Sequence, residues 1–245
     1  MRFSPLLSQL KKQWNVSVEK YATFWHPGTV LHQLSQWKSP LEQLPLDQLR
    51  KRLILCWRLL ALHRGVDLSR TQRTLSFVNE KVFILVQRKG WKFPKWEEVI
   101  VLPQTPQISP FHLMFEYVKR TQHMVQHKNN LLWSLDGKKP LTSNTVNSLT
   151  KASLAELGVD TTHWKPHSTR GAGVLWWKSA GLKVEEIQQL GQWKNASAFQ
   201  AHYLRLGVAS RAKEAMEGGC TEPHHPKVWS PSGLIASLLC TIPPC

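Results

Sequence analysis

The sequence predicts an α+β domain that is mainly helical and carries one small antiparallel β-sheet. Three observations lead there. Apolar residues recur at helical spacing before residue 64 and again after residue 109; the stretch between them changes to the period of strands; and the second helical region is cut into short pieces by Gly158, Gly181 and Gly191. The chain has 245 residues, 42% of them hydrophobic, enough for one sizeable core, or one core plus a small accessory unit.

Between residues 44 and 63, Leu49, Leu53, Cys56, Trp57 and Leu60 form the stripe of an amphipathic helix that ends near "LHRGVDL". The stretch "LSFVNEKVFILVQRKGWKFPKWEEVIVLPQ" follows. Its β-branched and aromatic runs at 82–86 and 99–102, punctuated by Asn79 and a basic Gly/Pro-containing connection, predict two or three short antiparallel strands within about 74–102. Ser109 followed by Pro110 starts a helix that Phe111, Phe115, Val118, Gln122 and Val125 carry forward. Ser143 is expected to cap another, with Val146, Leu149, Ser153 and Leu157 on one face and Gly158 as its end. Short helices are expected at about 168–180, 183–191 and 196–205. Residues 213–245 show no sustained period and read as an irregular C-terminal tail. No internal repeat is visible.

Lysine and arginine number 32 against 16 acidic residues, a formal charge of +16. With a pI of about 10.0, the favoured partner is a polyanion, nucleic acid before an acidic membrane surface. No stretch approaches the ~20 apolar residues of a membrane helix, and the N-terminus lacks the apolar core of a secretory signal. Three of the four cysteines lie in the last 26 residues, so the body of the chain has no disulfide framework and a reducing compartment is expected. A soluble intracellular protein follows. Cys220, His224, His225, Cys240 and Cys245 match no standard zinc spacing, and no cofactor or metal is implied.

The chemistry concentrates in "HWKPHSTRGAG". His167 and Arg170 stand at the start of a helix, where backbone N–H groups and the helix dipole favour an anion, a guanidinium adds a bidentate fork and an imidazole a further donor. By itself HxxR describes a surface histidine beside a structural arginine equally well. Downstream, Trp193 and Tyr203 flank a short helix in a basic neighbourhood; with a pKa near 10, a phenol becomes a nucleophile only beside cations or a polarised phosphate. Upstream, Arg64 lies just past the apolar helix and Lys89 at a hairpin tip; each alone reads as a solvated charge.

The order Arg64, Lys89, His167, Arg170, Trp193, Tyr203 resembles the catalytic domain of the tyrosine recombinase (phage integrase) family, and within it most resembles the recombinases of DIRS-type eukaryotic mobile elements. "HSTRGA", then "GLKVEEI", Trp193 and "SAFQAHY", together with the leucine-rich helix ending in "HRGVDL", carry the likeness over about residues 24–207. The resemblance implies that fold over 26–212, with residues 1–25 as the remnant of, or linker from, an N-terminal core-binding region. It implies that Arg64 and Arg170 would clamp a scissile phosphate, Lys89 would protonate the leaving 5′ oxygen, and His167 and Trp193 would assist. Tyr203 would form a 3′-phosphotyrosyl DNA link without metal, and Asp67, three residues after Arg64, would support the site. Double-stranded DNA is the implied partner, with self-association on it, in the nucleus or wherever the DNA lies. A truncated or domesticated DNA-binding module without turnover, and a type IB topoisomerase-like enzyme, are the competing expectations.

Overall fold

The computed structural model describes residues 25–199, apart from 26, 38, 125–128 and 194. Tyr203, the rest of the helix expected at 196–205, residues 1–24 and the tail at 213–245 lie outside the described residues.

Helix α1 (Pro27–Ser35) buries Val30, Leu31 and Leu34; proline opens it, where a missing N–H costs nothing. Helix α2 (Leu46–Leu60) follows Pro45 and carries Asp47 in its first turn. Its predicted stripe is buried, and so are Ile54, Leu55 and Leu59 on other faces. A helix apolar around most of its circumference belongs in the middle of a core. Three helices, introduced below, pack on it: Pro110–Thr121, Ser143–Glu156 and Ser168–Ser179. The last comes so close that a Cβ on Gly173 would stand 2.1 Å from the Leu59 carbonyl oxygen, so only glycine allows this crossing. Helix α3 (Gly65–Ser69), which the periodicity did not signal, is a single turn after α2.

The sheet has three antiparallel strands in the order β1 (Leu75–Val78), β2 (Lys81–Val86) and β3 (Lys95–Glu98). Asn79 and Glu80 both take left-handed φ, 47° and 62°, which gives the two-residue hairpin between β1 and β2 the twist its strands need. The register sets Leu75 opposite Ile84 and Ile84 opposite Glu97, so these three share one face. The third strand lies earlier than the sequence indicated. Only Val99, whose N–H reaches the Val82 carbonyl at 2.7 Å, extends the ladder past Glu98. The apolar run at 100–102 instead anchors the next helix: Ile100 accepts from the Phe111 N–H at 3.1 Å, and Leu102 donates to the Ser109 hydroxyl at 3.0 Å. Those apolar residues pack, partly buried, against the core and do not pair in the sheet.

Helix α4 (Pro110–Thr121) is capped by Ser109 as expected. It buries Leu113, Met114 and Tyr117, while Phe115 lies on the open side. The α-helical part stops at Thr121, and a 3₁₀ turn continues over Gln122–Met124. Helix α5 (Ser143–Glu156) is capped one residue earlier than expected, by Thr142, whose hydroxyl accepts from the Thr145 N–H at 3.2 Å. Gly158, at φ 79°, ends it. Helices α6 (Ser168–Ser179), α7 (Val184–Leu190) and α8 (Ala196–Phe199) complete the order.

Several of the abundant cations serve the interior. Arg50 donates to the Trp133 carbonyl at 3.0 Å, Arg52 to that of Leu34 at 3.3 Å, and half-buried Arg73 to Asn130, Thr121 and Leu131. Each ties carbonyls in loops or at helix C-termini, which the regular ladders leave over.

Candidate active site

The end of α2 and the turn of α3 deliver Arg64. It is the N-cap residue of α3, exposed, with its backbone N–H held by Asp67 Oδ2 at 2.9 Å. Asp67 is fully buried, and its other oxygen accepts the backbone N–H of Lys89 at 2.9 Å. One carboxylate therefore joins two chain segments 22 residues apart. Lys89 is exposed in the connection between β2 and β3, followed by Gly90 at φ 86°.

His167 is the N-cap residue of α6 and is exposed, whereas Arg170, one turn on, is buried. Arg170 Nη2 donates to the Gly191 carbonyl, and its guanidinium lies 3.7 Å from the centroid of the Trp193 ring, within cation–π range. Trp193 packs so tightly on Gly191 that a Cβ there would fall 1.7 Å from the ring. This glycine thus does more than end α7: it makes room for the indole behind Arg170.

The free helix N–H groups expected at α6 are not free. The N–H groups of Ser168, Thr169 and Arg170 donate to the carbonyls of Lys165, Pro166 and His167 in a tightened first turn. Anion affinity at this helix start must come from side chains.

Those side chains meet in a cleft of about 780 Å³. Arg64, Lys89, His167 and Arg170 all line it, joined by Arg58, Arg70, Lys165 and His163, and no aspartate or glutamate is among its described lining residues. Trp193 stands behind Arg170, and Asp67 beneath Arg64 and Lys89. Positive groups without interposed carboxylates focus potential on an anion entering the cleft.

Arg58 was not singled out by the sequence. It is 2% exposed and donates to Thr169 Oγ1 at 3.1 Å, Asn147 Oδ1 at 2.7 Å, Thr150 Oγ1 at 3.3 Å and the Pro166 carbonyl at 2.7 Å. Burial holds its pKa down to about 10, with Asp67 partly opposing. It stays charged at neutral pH, and it pins the residues on either side of His167 to α2 and α5.

A second buried group was equally illegible. Glu97 on β3 receives both forks of Arg88, at 2.6 Å each, and the Nε2–H of His63 at 3.0 Å. Burial would raise the Glu97 carboxyl, but the hydrogen bonds from Arg88 and His63 hold it down near 2. Burial first, then the Arg88 charge, pushes His63 below its ordinary value, so it is neutral at pH 7 and stacks on Trp57 with ring centroids 5.8 Å apart. The only sequence signal for Arg88 and His63 was adjacency to Lys89 and Arg64. Glu97 had none. Cys56 is buried and its thiol is pushed up to about 12, which leaves it chemically inert.

No family model and no curated protein sequence matches the chain. Solved structures do. The XerH site-specific recombinase in a post-cleavage complex with palindromic difH substrate superposes with a TM-score of 0.58 at 14% identity, over 81% of this chain and 53% of that one. XerA recombinase gives 0.57 at 13%, over 81% and 65%. The pre-cleavage complex of XerH with difH gives 0.54 at 14%, over 80% and 53%.

The chain has the tyrosine recombinase catalytic-domain fold. At this identity the likeness is one of architecture, and the chain spans between about half and two thirds of the length of those recombinases. What the tyrosine recombinase fold supplies here is a helical core that sets α3, the β2–β3 connection and α6 around a single cationic cleft. No helix among the described residues is long and apolar enough to cross a membrane.

Proposed function

We propose that this chain is a DNA strand transferase of the tyrosine recombinase type, with residues 26–212 as its catalytic domain. The observation that carries the reading is the cleft itself: four of the sequence-predicted residues, Arg64, Lys89, His167 and Arg170, line it together, with no described acid among them.

In this reading a phosphodiester of duplex DNA enters the cleft. Arg64 and Arg170 bind its non-bridging oxygens and stabilise the charge that grows in the pentavalent transition state; Arg170 is pre-aimed by Gly191 and Trp193. Tyr203 Oη attacks phosphorus and its proton passes to His167. The P–O5′ bond breaks, and Lys89 gives its proton to the departing 5′ oxygen. The product is a 3′-phosphotyrosyl link and a free 5′ hydroxyl. Attack by a 5′ hydroxyl reverses the steps and rejoins a strand, so the bond energy is conserved in the protein–DNA link and no nucleotide or metal is needed. Exchange between two duplexes requires more than one copy on DNA, and the place of action is where the DNA lies, the nucleus in a eukaryotic cell. The motif strings around Arg64, Arg170 and Tyr203 support kinship with the recombinases of DIRS-type elements.

The test is covalent trapping. A pool of nicked duplexes of randomised sequence, incubated with the full chain in EDTA, is expected to yield protein–DNA adducts that Tyr203→Phe abolishes while DNA binding persists. Adducts that survive Tyr203→Phe, or that need a divalent metal, overturn the reading. If no duplex in the pool reacts, a DNA-binding module without turnover takes its place.

A further inference from the structure

We infer that Arg88 and Glu97 form a positioning pair for Lys89, which locks the connection between β2 and β3 onto the end of α7 and thereby sets where the Lys89 ammonium meets the substrate. The inference deepens the strand-transfer reading and rests on it.

Lys89 is itself exposed, at the head of an eight-residue connection running over 87–94. A long side chain on a loop of that length has wide reach unless its backbone is fixed. It is fixed from two directions. Its own N–H is held by buried Asp67 at 2.9 Å. The residue before it, Arg88, is 3% exposed and spans three elements. Nε and Nη2 bind the two oxygens of Glu97 across the base of the hairpin, Nη1 donates to the Gly191 carbonyl at 3.0 Å, and Nη2 reaches the Leu190 carbonyl at 3.3 Å.

The Gly191 carbonyl is also the acceptor for Arg170 Nη2. One oxygen therefore receives donors from the residue beside the proposed general acid and from a proposed phosphate ligand. That shared acceptor, together with the Asp67 bond to the Lys89 N–H, sets the distance between acid and phosphate. A bidentate guanidinium–carboxylate pair suits the task, because its planar fork fixes direction as well as distance. A pair that served only folding could sit anywhere in the core. This one ties the β2–β3 connection to the Gly191 carbonyl that also holds Arg170, and its Glu97 anchors His63, the neighbour of Arg64.

The chemistry of the leaving group separates positioning from mere stability. Replacing the bridging 5′ oxygen by sulfur gives a leaving thiolate that departs without a proton, so a misplaced general acid no longer matters. Duplexes captured by the wild-type chain are resynthesised with oxygen or sulfur at the 5′ bridge. Cleavage by wild type, Arg88→Lys, Glu97→Gln and Lys89→Ala is then timed under single-turnover conditions. Arg88→Lys keeps the charge but, with one nitrogen in place of three, cannot grip both Glu97 oxygens and still reach Gly191 and Leu190, and Glu97→Gln keeps the shape and loses the charge.

On the oxygen substrate both variants are expected to slow about tenfold or more, a part of the 10²–10⁴-fold worth of a general acid. On the sulfur substrate they should return to within about threefold of wild type, as should Lys89→Ala, with the DNA affinity of the Arg88 and Glu97 variants unchanged. If either variant folds and is equally slow on both substrates, or is unimpaired on oxygen, the positioning role is overturned while strand transfer by the wild type stands. If the wild type cleaves neither substrate, both readings fall together.

Discussion

Asp67 accepts the backbone N–H of Lys89 at 2.9 Å through one oxygen and that of Arg64 at 2.9 Å through the other. Two residues from separate elements thus depend on a single, fully buried carboxylate. Both contacts are made by the backbone and neither by the Arg64 or Lys89 side chain. The carboxylate fixes where each side chain starts and leaves its charged end free to face the cleft.

Asp67→Asn tests that arrangement. The amide offers one oxygen where the carboxylate offered two, so either Arg64 or Lys89 loses the acceptor for its N–H and meets an NH₂ instead. Leaving a buried donor unpaired costs about 1–3 kcal/mol, which urea denaturation should read as a lower midpoint with little change in slope. Adduct formation should fall more steeply than stability. An unchanged midpoint would mean that water or a rearranged loop replaces the lost acceptor.

Stability should fall as pH drops through the range below 6.5, where His112, held down by burial, and His63 both contribute. The folded pKa of each lies below 6.5, so between the folded and unfolded values the unfolded chain binds the proton and the folded one does not. The favourable state is complete above 6.5 and is lost on acidification. Glu97 acts with the same sign at lower pH: its ordinary value is 4.5 and its folded value about 2, so its contribution is present above 4.5 and lost towards 2. Urea midpoints at pH 7.5, 6.0 and 5.0 should decline in the wild type, and His63→Gln should flatten the upper part of that decline. A midpoint that rises on acidification contradicts the neutral, buried imidazole.

DNA binding should weaken linearly in logarithmic plots against salt, with a slope of about −0.9 for each phosphate contacted. Lys165 is exposed at the cleft. Lys165→Ala should make the slope shallower by about one and lower affinity alike for unrelated duplexes. An unaltered slope would place the DNA backbone away from this side of the cleft.

Much of the helical frame was legible because helix signals are local. Ser109–Pro110, the stripe from Leu49 to Leu60 and Gly158 act within a few residues of where they stand. Their effects survive translation into three dimensions almost unchanged. The β-strand signal was weaker: β-branched residues at 99–102 mark burial as readily as pairing, and the register with β2 puts Lys95–Glu98 in the ladder. The cap of α5 moved from Ser143 to Thr142 for a similar reason, since both are good caps and the packing of the helix selects between them.

By itself the sequence determined which side chains could handle a phosphate and in what order they come, because residue chemistry and spacing along a chain are written in it directly. Tertiary structure alone decided what holds them. Arg58 reaches Pro166 across 108 positions, Arg88 reaches Gly191 across 103, and Trp177 reaches the Leu60 carbonyl across 117. Bonds of that span leave no period, cap or motif, and in the sequence a buried arginine looks the same as a solvated one. The difference arises only on folding, when desolvation makes an unpaired guanidinium or carboxylate costly and each must find its partner among whatever the fold has brought near.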